Sequence, residues 1–446
     1  MKKRLGLLAL AAVLSSSIYA ASIDHIQTYA PEYLGNSAQN GMINNVSAYY
    51  NPAGIVHLEK GTYVQVGAQL AVGHEKMEYN GKDYKADLLQ PIPNFAMYKV
   101  EDDSALYWTF GALGGGGDLK YDDGVAGTAV VGDILEGIGK PGFNTNGSKA
   151  EGSNLYVQST LGKVWKVNDK LSLSAAGRVI YGSRTLKGDI YLNHPLIPKS
   201  EEAHIDSERT AWGFGGQFGL NYRINDRLNF GLRYDTRVNL NFEADAKGEV
   251  KIEEIGGRPI GSGLGFSDFY PEYADGIKQR RDLPAILAAG MSYKVTDNWT
   301  IGLSGNYYFN KDAKMDRTKK SNHPLLAATN HIEAEYDNGY EIAVGTEYRF
   351  SPKWAILGGV NYANTGAKVT SYDDVEFALD SIMVGTGLKY NPDETSEWVF
   401  TVAHYFYDSE SGHYDQKYPN PPFANVKNPE YSKSITAFGV AYTKRF

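Results

Sequence analysis

From Leu228 to Leu240 the chain alternates between two kinds of residue. Leu228, Phe230, Leu232, Tyr234, Thr236, Val238 and Leu240 fall on one side, and Asn229, Gly231, Arg233, Asp235, Arg237 and Asn239 on the other. Successive residues of a strand point to opposite faces, so the pattern describes a strand with one apolar and one polar face. It recurs. Trp212, Phe214, Gly216, Phe218, Leu220 and Tyr222 oppose Gln217, Asn221 and Arg223. Ile342, Val344, Thr346, Tyr348 and Phe350 oppose Glu341, Glu347 and Arg349, and Ile382, Val384, Thr386, Leu388 and Tyr390 repeat the scheme. In a soluble sandwich or propeller such large, nearly continuous apolar faces would be left as exposed bands. No repeat at blade period is present.

The connections alternate too. Short polar turns occur at Glu101–Ser104, Val167–Lys170, Asn225–Arg227, Thr296–Asn298, Ser351–Lys353 and Asn391–Ser396. Long polar segments lie between them, near 121–152, 183–209, 244–280, 312–336 and 411–431. Short turns on one side and long loops on the other are the build of an outer-membrane barrel, with the long loops outside the cell. The runs predict an all-β chain, an antiparallel transmembrane β-barrel of about fourteen strands, an even number as closure favours. Trp165, Trp299, Trp354 and Trp398 each sit beside a short turn, as aromatic rings at a lipid interface do. The mean hydropathy of −0.39 does not argue against a membrane. Only alternate residues of each strand face lipid, so an average conceals them.

Residues 1–20 read as a cleavable signal peptide. Lys2, Lys3 and Arg4 open it, an apolar run from Leu5 to Leu14 follows, and small and polar residues lead to Ala20, after which cleavage is expected. The chain carries 44 Lys and Arg against 52 Asp and Glu. Three of the basic residues belong to the leader, so the mature chain is acidic and nucleic acid is not expected as a partner. It has no cysteine, hence no disulfide and no thiolate chemistry. His194, His204, His323, His331 and His413 are scattered over expected external loops, no Gly-x-Ser-x-Gly element occurs, and no His-x-x-x-His pair or carboxylate cluster stands at metal spacing. No catalysis, no metal and no cofactor are expected.

Residues 21–60 do not alternate. They mix apolar residues with Asn, Ser and Gly and close on Asn51-Pro52-Ala53-Gly54. An irregular segment ahead of a barrel either hangs free or folds into the lumen as a plug, and its low charge favours the plug. Taken alone, Asn-Pro-Ala-Gly is an ordinary tight turn.

A cleaved leader followed by a plug-length segment ending in Asn-Val-Ser-Ala-Tyr-Tyr-Asn-Pro-Ala-Gly resembles the FadL family of outer-membrane transporters, with its TodX branch. The hatch signature of that family is matched by Asn51, Pro52 and Ala53. Pro93 to Tyr98, Ala105 to Gly117 and Leu171 to Tyr181 resemble its second, third and fifth strands. Lys444 stands near the terminal Phe446 where an aromatic or aliphatic residue is more usual. The resemblance implies a monomeric barrel (61–446) with a hatch (21–60) inside, and passive uptake of long-chain fatty acids or other hydrophobic compounds. It implies outer-membrane lipids and lipopolysaccharide as surroundings and the barrel-assembly machinery as a partner in biogenesis. Substrate would meet an external loop groove, then a lumen pocket, then a lateral gap at a kink in the third strand.

Candidates exist for each part. Gly114, Gly115, Gly116 and Gly117 lie in the third strand, where glycine marks either a kink or a flexible strand end. Val130, Ile134, Leu135 and Ile138, three of them at helical spacing, with Leu196 and Ile197 of the next loop, could line the groove or merely pack the loops together. A fatty-acid carboxylate needs a cation in a partly dry pocket. Arg178, Arg184, Arg233 and Arg237 are the lumen candidates, although lumen charges also pair with one another. The alternative from another class is a general diffusion porin or an adhesin.

Overall fold

The computed structural model describes residues 30–316, 321, 323–330, 332–421 and 423–446. The expected signal peptide and residues 21–29 lie outside them. Chain order begins with two short helices, α1 (Pro31–Gly35) and α2 (Ser47–Tyr50), and a 3-10 turn, Pro52–His57. Fourteen strands form the wall. These are β1 (Gly61–Tyr79), β2 (Lys82–Val100), β3 (Ser104–Tyr121), β4 (Lys149–Lys166), β5 (Leu171–His194), β6 (Ile197–Arg223) and β7 (Leu228–Asp235). They continue as β8 (Ile286–Thr296), β9 (Trp299–Tyr308), β10 (Gly339–Arg349), β11 (Trp354–Asn364), β12 (Ser381–Asp393), β13 (Ser396–Tyr407) and β14 (Glu430–Arg445). Each pairs antiparallel with the next, and β14 closes the ring on β1 from Tyr63↔Arg445 to Glu78↔Glu430. Closure joins the first and last strands, so the sheet has no free terminal strand. Among the described residues no helix is long and apolar enough to cross a membrane.

Alternation decides which way each residue faces. Leu161, Phe218, Leu303, Val344, Val360, Val384 and Phe400 are exposed on the outer surface. Gln158, Thr160, Asn221, Ser304, Glu341, Asn361 and Thr401 are buried inside. The ring is wet inside and apolar outside, the reverse of a soluble protein. Trp165, Trp299, Trp354 and Trp398 are partly exposed beside the short turns.

Two expectations are corrected. Residues 183–209 are not a loop: β5 and β6 run on through them, paired from Leu171↔Tyr222 to His194↔Ile197, and project beyond the membrane as one long hairpin. There the apolar residues change sides, with Leu186, Ile190, Leu192, Ala203 and Ile205 buried on the inner face, so the lipid pattern lapses while the ladder continues. The alternation across Leu228–Leu240 also breaks. β7 ends at Asp235, and beyond it Val238, Leu240 and Phe242 are buried while Arg237 is exposed. Arg237 bonds outward to the Asp312 carbonyl and is not a lumen residue. The chain then resumes as Asn241–Ala246, paired with β6 and with Lys278–Arg280, which leads into β8.

The external loops form an apolar layer over the barrel mouth. Helix α3 (Ala126–Gly137) buries Val130, Ile134 and Leu135 in it, with Leu119, Phe266, Phe377 and Tyr431. Tyr270 and Tyr414 donate hydrogen bonds to the buried Asp374 carboxylate within the same layer.

Candidate functional site

The site begins with the segment ahead of β1. Residues 30–41 and 46–56 are buried, and they lie against the inner faces of strands on opposite sides of the ring. α1 packs on β12, β13 and β14, and Pro52–His57 packs on β4, β5 and β6. Polar side chains of the wall hold this backbone. Asn40 N donates to Ser304 Oγ at 3.0 Å, Asn229 Nδ2 to Gly41 O at 2.9 Å, and Ser172 Oγ to Ala53 O at 2.6 Å. Asn51 Nδ2 reaches Asn221 Oδ1 at 2.7 Å and Met42 O at 3.1 Å, while Asn51 O accepts from Gly54 N at 2.8 Å. Asn51 thus closes the Asn-Pro-Ala-Gly turn and ties it to β6. Tyr33 Oη donates to Glu341 Oε2 at 3.1 Å and accepts from Asn361 Nδ2 at 3.0 Å.

A row of directly paired glycines makes room for the segment. Gly302, Gly345, Gly359 and Gly385 stand opposite one another across β9 to β12. A Cβ on any of them would run into Ala38, Asn36 or Leu34.

The four arginine candidates part company here. Arg233 donates to Tyr49 O at 2.5 Å and Tyr50 O at 3.2 Å and lies 3.3 Å from Asp235. It is a tether for α2. Arg178 is held by Gln158 at 3.0 and 2.7 Å. Arg237 faces outward. Arg184 lies higher in the lumen, directly opposite Arg209 on β6, and both are buried. Arg184 and Arg281 each contact the Glu376 carboxylate, and Arg209 bonds to Gln279 with its guanidinium 3.9 Å from the Tyr273 ring centre. Two guanidinium groups therefore share one carboxylate, with a third, Arg209, beside Arg184 and with Glu272 nearby. The Nε and Nη1 of Arg184 and the Nε and Nη2 of Arg209 are buried with no hydrogen-bond partner among the described residues. Buried charged donors without partners are costly, and an anion would satisfy them.

Arg281 and Glu376 also line a small cavity of about 100 Å³, with Tyr156, Leu283, Tyr308 and Glu341 on its other walls. A second, more open space of about 380 Å³ shares Asn310, Met315 and Tyr336 with it and is lined also by Lys311, Asp337 and Lys368. The cavity therefore opens outward past residues 310–315, 334–337 and 368.

The third strand also leaves its neighbour. β2 and β3 pair only from Val100↔Ala105 to Asn94↔Gly111, although β2 begins at Lys82 and β3 runs to Tyr121. Against β4 the register shifts between Ala112 and Gly114 and again between Gly115 and Gly117. Gly115 and Gly117 adopt φ of +146° and +97°, open to glycine and strained for other residues. Of the six apolar groove candidates, Val130, Ile134 and Leu135 lie together in the loop layer with Ile138 packed against it. Leu196 is 85% exposed at the hairpin tip and Ile197 is half-buried, and neither joins that cluster. Among the described residues no group of His, Asp or Glu could hold a metal ion.

Sequence reading missed Arg209, Arg281 and Glu376. Treating 183–209 as a loop hid the pairing of Arg184 with Arg209. A tight turn at Pro195-Leu196 between two long extended runs would have put Arg184 opposite Ser207, on the same face as Arg209 and two residues from it; the irregularity between Leu192 and His194 makes the pairing direct.

Comparison with known proteins places this architecture. Residues 144–446, more than half of the chain, match the family model described as outer membrane protein transport protein (OMPP1/FadL/TodX). Outer membrane protein P1 of Haemophilus influenzae is 26% identical over 180 residues, 40% of this chain. The long-chain fatty acid transport protein of Escherichia coli is 22% identical over 195 residues, 43% of this chain. The chain spans 35% of the length of the first and 42% of the second. Among solved structures, a Pseudomonas aeruginosa FadL homologue superposes with a TM-score of 0.68 at 14% identity, over 96% of this chain and all of that one. The Pseudomonas putida toluene transporter TodX gives 0.65 at 16% identity, over 95% and 99% of the two chains. At these identities the structures share the fold.

Proposed function

The chain belongs to the OMPP1/FadL/TodX family of outer membrane transport proteins, and from that premise we propose that it carries long-chain fatty acids into the cell by passive diffusion. The observation that supports an acid over a neutral hydrocarbon is the arginine group Arg184, Arg209 and Arg281, of which Arg281 lines the lumen cavity and Arg184 is joined to it through Glu376. Its unpartnered guanidinium donors fit a carboxylate. The apolar tail would lie along Tyr156, Leu283 and Tyr308.

In this reading the external loop layer around Val130, Ile134, Leu135 and Ile138 receives the molecule when the loops part. The cavity takes it next. Residues 30–57 act as the hatch: they fill the lumen below, so nothing passes until they shift. The molecule leaves sideways where β3 departs from β2 beyond Gly111, at Gly114–Gly117. No energy source enters this scheme, and the protein works as a monomer. An open diffusion pore is disfavoured by the buried segment across the lumen.

Native mass spectrometry of the purified protein tests the substrate class. A co-purified monocarboxylic acid of long chain is the expected finding. A neutral aromatic or no ligand, together with no displacement by oleate, would refute it.

A further inference from the structure

The wall has a second break, between β6 and β7. β6 pairs with β7 from Arg223↔Asn229 to Gln217↔Asp235, and with Asn241–Ala246 from Thr210↔Glu243 to Ser207↔Ala246. Residues 211–216 lie between these ladders and are paired to neither. Only Thr236 bridges the gap, its N donating to Gly216 O at 2.9 Å and its Oγ1 accepting from Gly216 N at 2.8 Å.

The facing segment, residues 236–240, stays with the far side. Val238 and Leu283 exchange backbone hydrogen bonds of 3.1 and 2.9 Å, and Arg281 N donates to Leu240 O at 3.0 Å. It bends into the lumen. Val238 and Leu240 are fully buried, and a Cβ on Gly213 would collide with both. A Cβ on Gly215 would stand 2.8 Å from Val238 Cγ2. Glycine at these two positions is what lets the bend close over β6.

The break lies at membrane depth. Trp212 is ten residues along β6 from Tyr222, which flanks a short turn. At roughly 3.3 Å per residue and a tilt of about 40°, that is roughly 25 Å, the height of an apolar band. Trp212 and Phe214 are 65% and 73% exposed outside it. Unpaired backbone is tolerated at such depth only where it is buried or lines a passage. On the inner side, Val238, Leu240 and Phe242 share an apolar cluster with Tyr156 and Leu283, both of which line the cavity.

We propose that this break is a second lateral portal, through which an acyl chain passes between the lumen cavity and the outer leaflet, with Val238 as its stopper. The inference rests on the transporter reading above and adds a route to it. The portal is shut by Val238 and Leu240 resting on glycines and by the two hydrogen bonds of Thr236, weaker together than a continuous strand ladder, and so it opens without unzipping the wall.

The chain has no cysteine, so a cross-link can be placed cleanly. In a Gly215→Cys/Val238→Cys protein the two Cβ atoms lie roughly 4 Å apart, within disulfide reach. Uptake of radiolabelled oleate by cells expressing this protein is compared before and after reduction, and oleate binding is measured on the purified protein in detergent. Uptake at least twofold lower in the oxidised state, with binding unchanged, is the expected result. Val238→Ala, which removes the stopper, should raise uptake twofold or more without any cross-link. Equal uptake in both redox states and in Val238→Ala, with binding intact, would overturn the portal and leave the transporter reading standing. Failure of the unaltered protein to bind or take up oleate would overturn both.

Discussion

Arg184→Met is the substitution that most directly tests the arginine group. It removes a charge but keeps a long, unbranched side chain in the same space. In the unliganded protein Glu376 keeps its contact with Arg281, so no carboxylate is stranded. What is lost is the Arg184 contact with Glu376 and the buried, unpartnered donors of its guanidinium. A hydrogen bond to a charged group contributes about 1.5–3 kcal/mol net, and each 1.4 kcal/mol is tenfold in Kd. Oleate affinity should therefore fall roughly ten- to hundredfold. Oleyl alcohol has the same tail without the charge, and its affinity should stay within about twofold of the unaltered protein. Arg184→Lys should recover part of the loss, because a lysine restores the charge without the planar fork. Isothermal titration in detergent measures all three. Equal weakening for acid and alcohol would mean that the substitution damaged packing, and no weakening for either would remove Arg184 from the ligand site.

Further outcomes follow from the same geometry. Deleting residues 22–50 should let a planar bilayer conduct small ions, whereas a conductance like that of the intact protein would contradict a plugged lumen. The Asp374 carboxyl, buried between Tyr270 and Tyr414 beside Asp373, is held up to about 6 from its usual 3.8, with burial the main cause. Its folded form prefers the proton, so its contribution to loop stability is complete below about pH 3.8 and is lost as the pH rises through about 6. External-loop amides should exchange more slowly at pH 4 than at pH 7 after correction for intrinsic rates, and Asp374→Asn should flatten that difference; a dependence unaltered by the substitution would assign it elsewhere. Val344→Arg, on the outer face of β10, should destabilise the barrel by about 2–4 kcal/mol, read from urea unfolding in vesicles, and an unshifted midpoint would argue that this face does not meet lipid.

The strands inside the membrane were legible because lipid imposes a strict rule on every second residue. Val344, Val360 and Val384 could be assigned outward from spacing alone. Where that rule stops, so does the reading. Above the bilayer Lys187 and Asp189 turn outward while Leu186, Ile190 and Leu192 are buried, so the apolar residues change sides and the lipid pattern no longer marks the strand. Val238 and Leu240 keep the spacing of Leu232 and Tyr234 but point the other way, because the backbone bends at Thr236 and sequence period does not record a bend. Arg178, Arg184 and Arg233 were found as inward arginines, yet their separate roles depend on partners such as Gln158, Glu376 and Tyr49 that lie far off in the chain. The cavity is likewise built from five separated stretches around Tyr156, Arg281, Tyr308, Tyr336 and Glu376.

The paired glycines of β9 to β12 bear on assembly. Gly302, Gly345, Gly359 and Gly385 sit at one level only if every strand between them is threaded in the same register. A slip of one residue in β11 that turned Gly359 outward and brought Val360 into its place would set a side chain where the backbone of Asn36 now lies. Residues 34–38 would no longer fit. The segment made first, before any strand, is therefore a gauge against which the finished ring is measured, and it accepts one alignment of these strands.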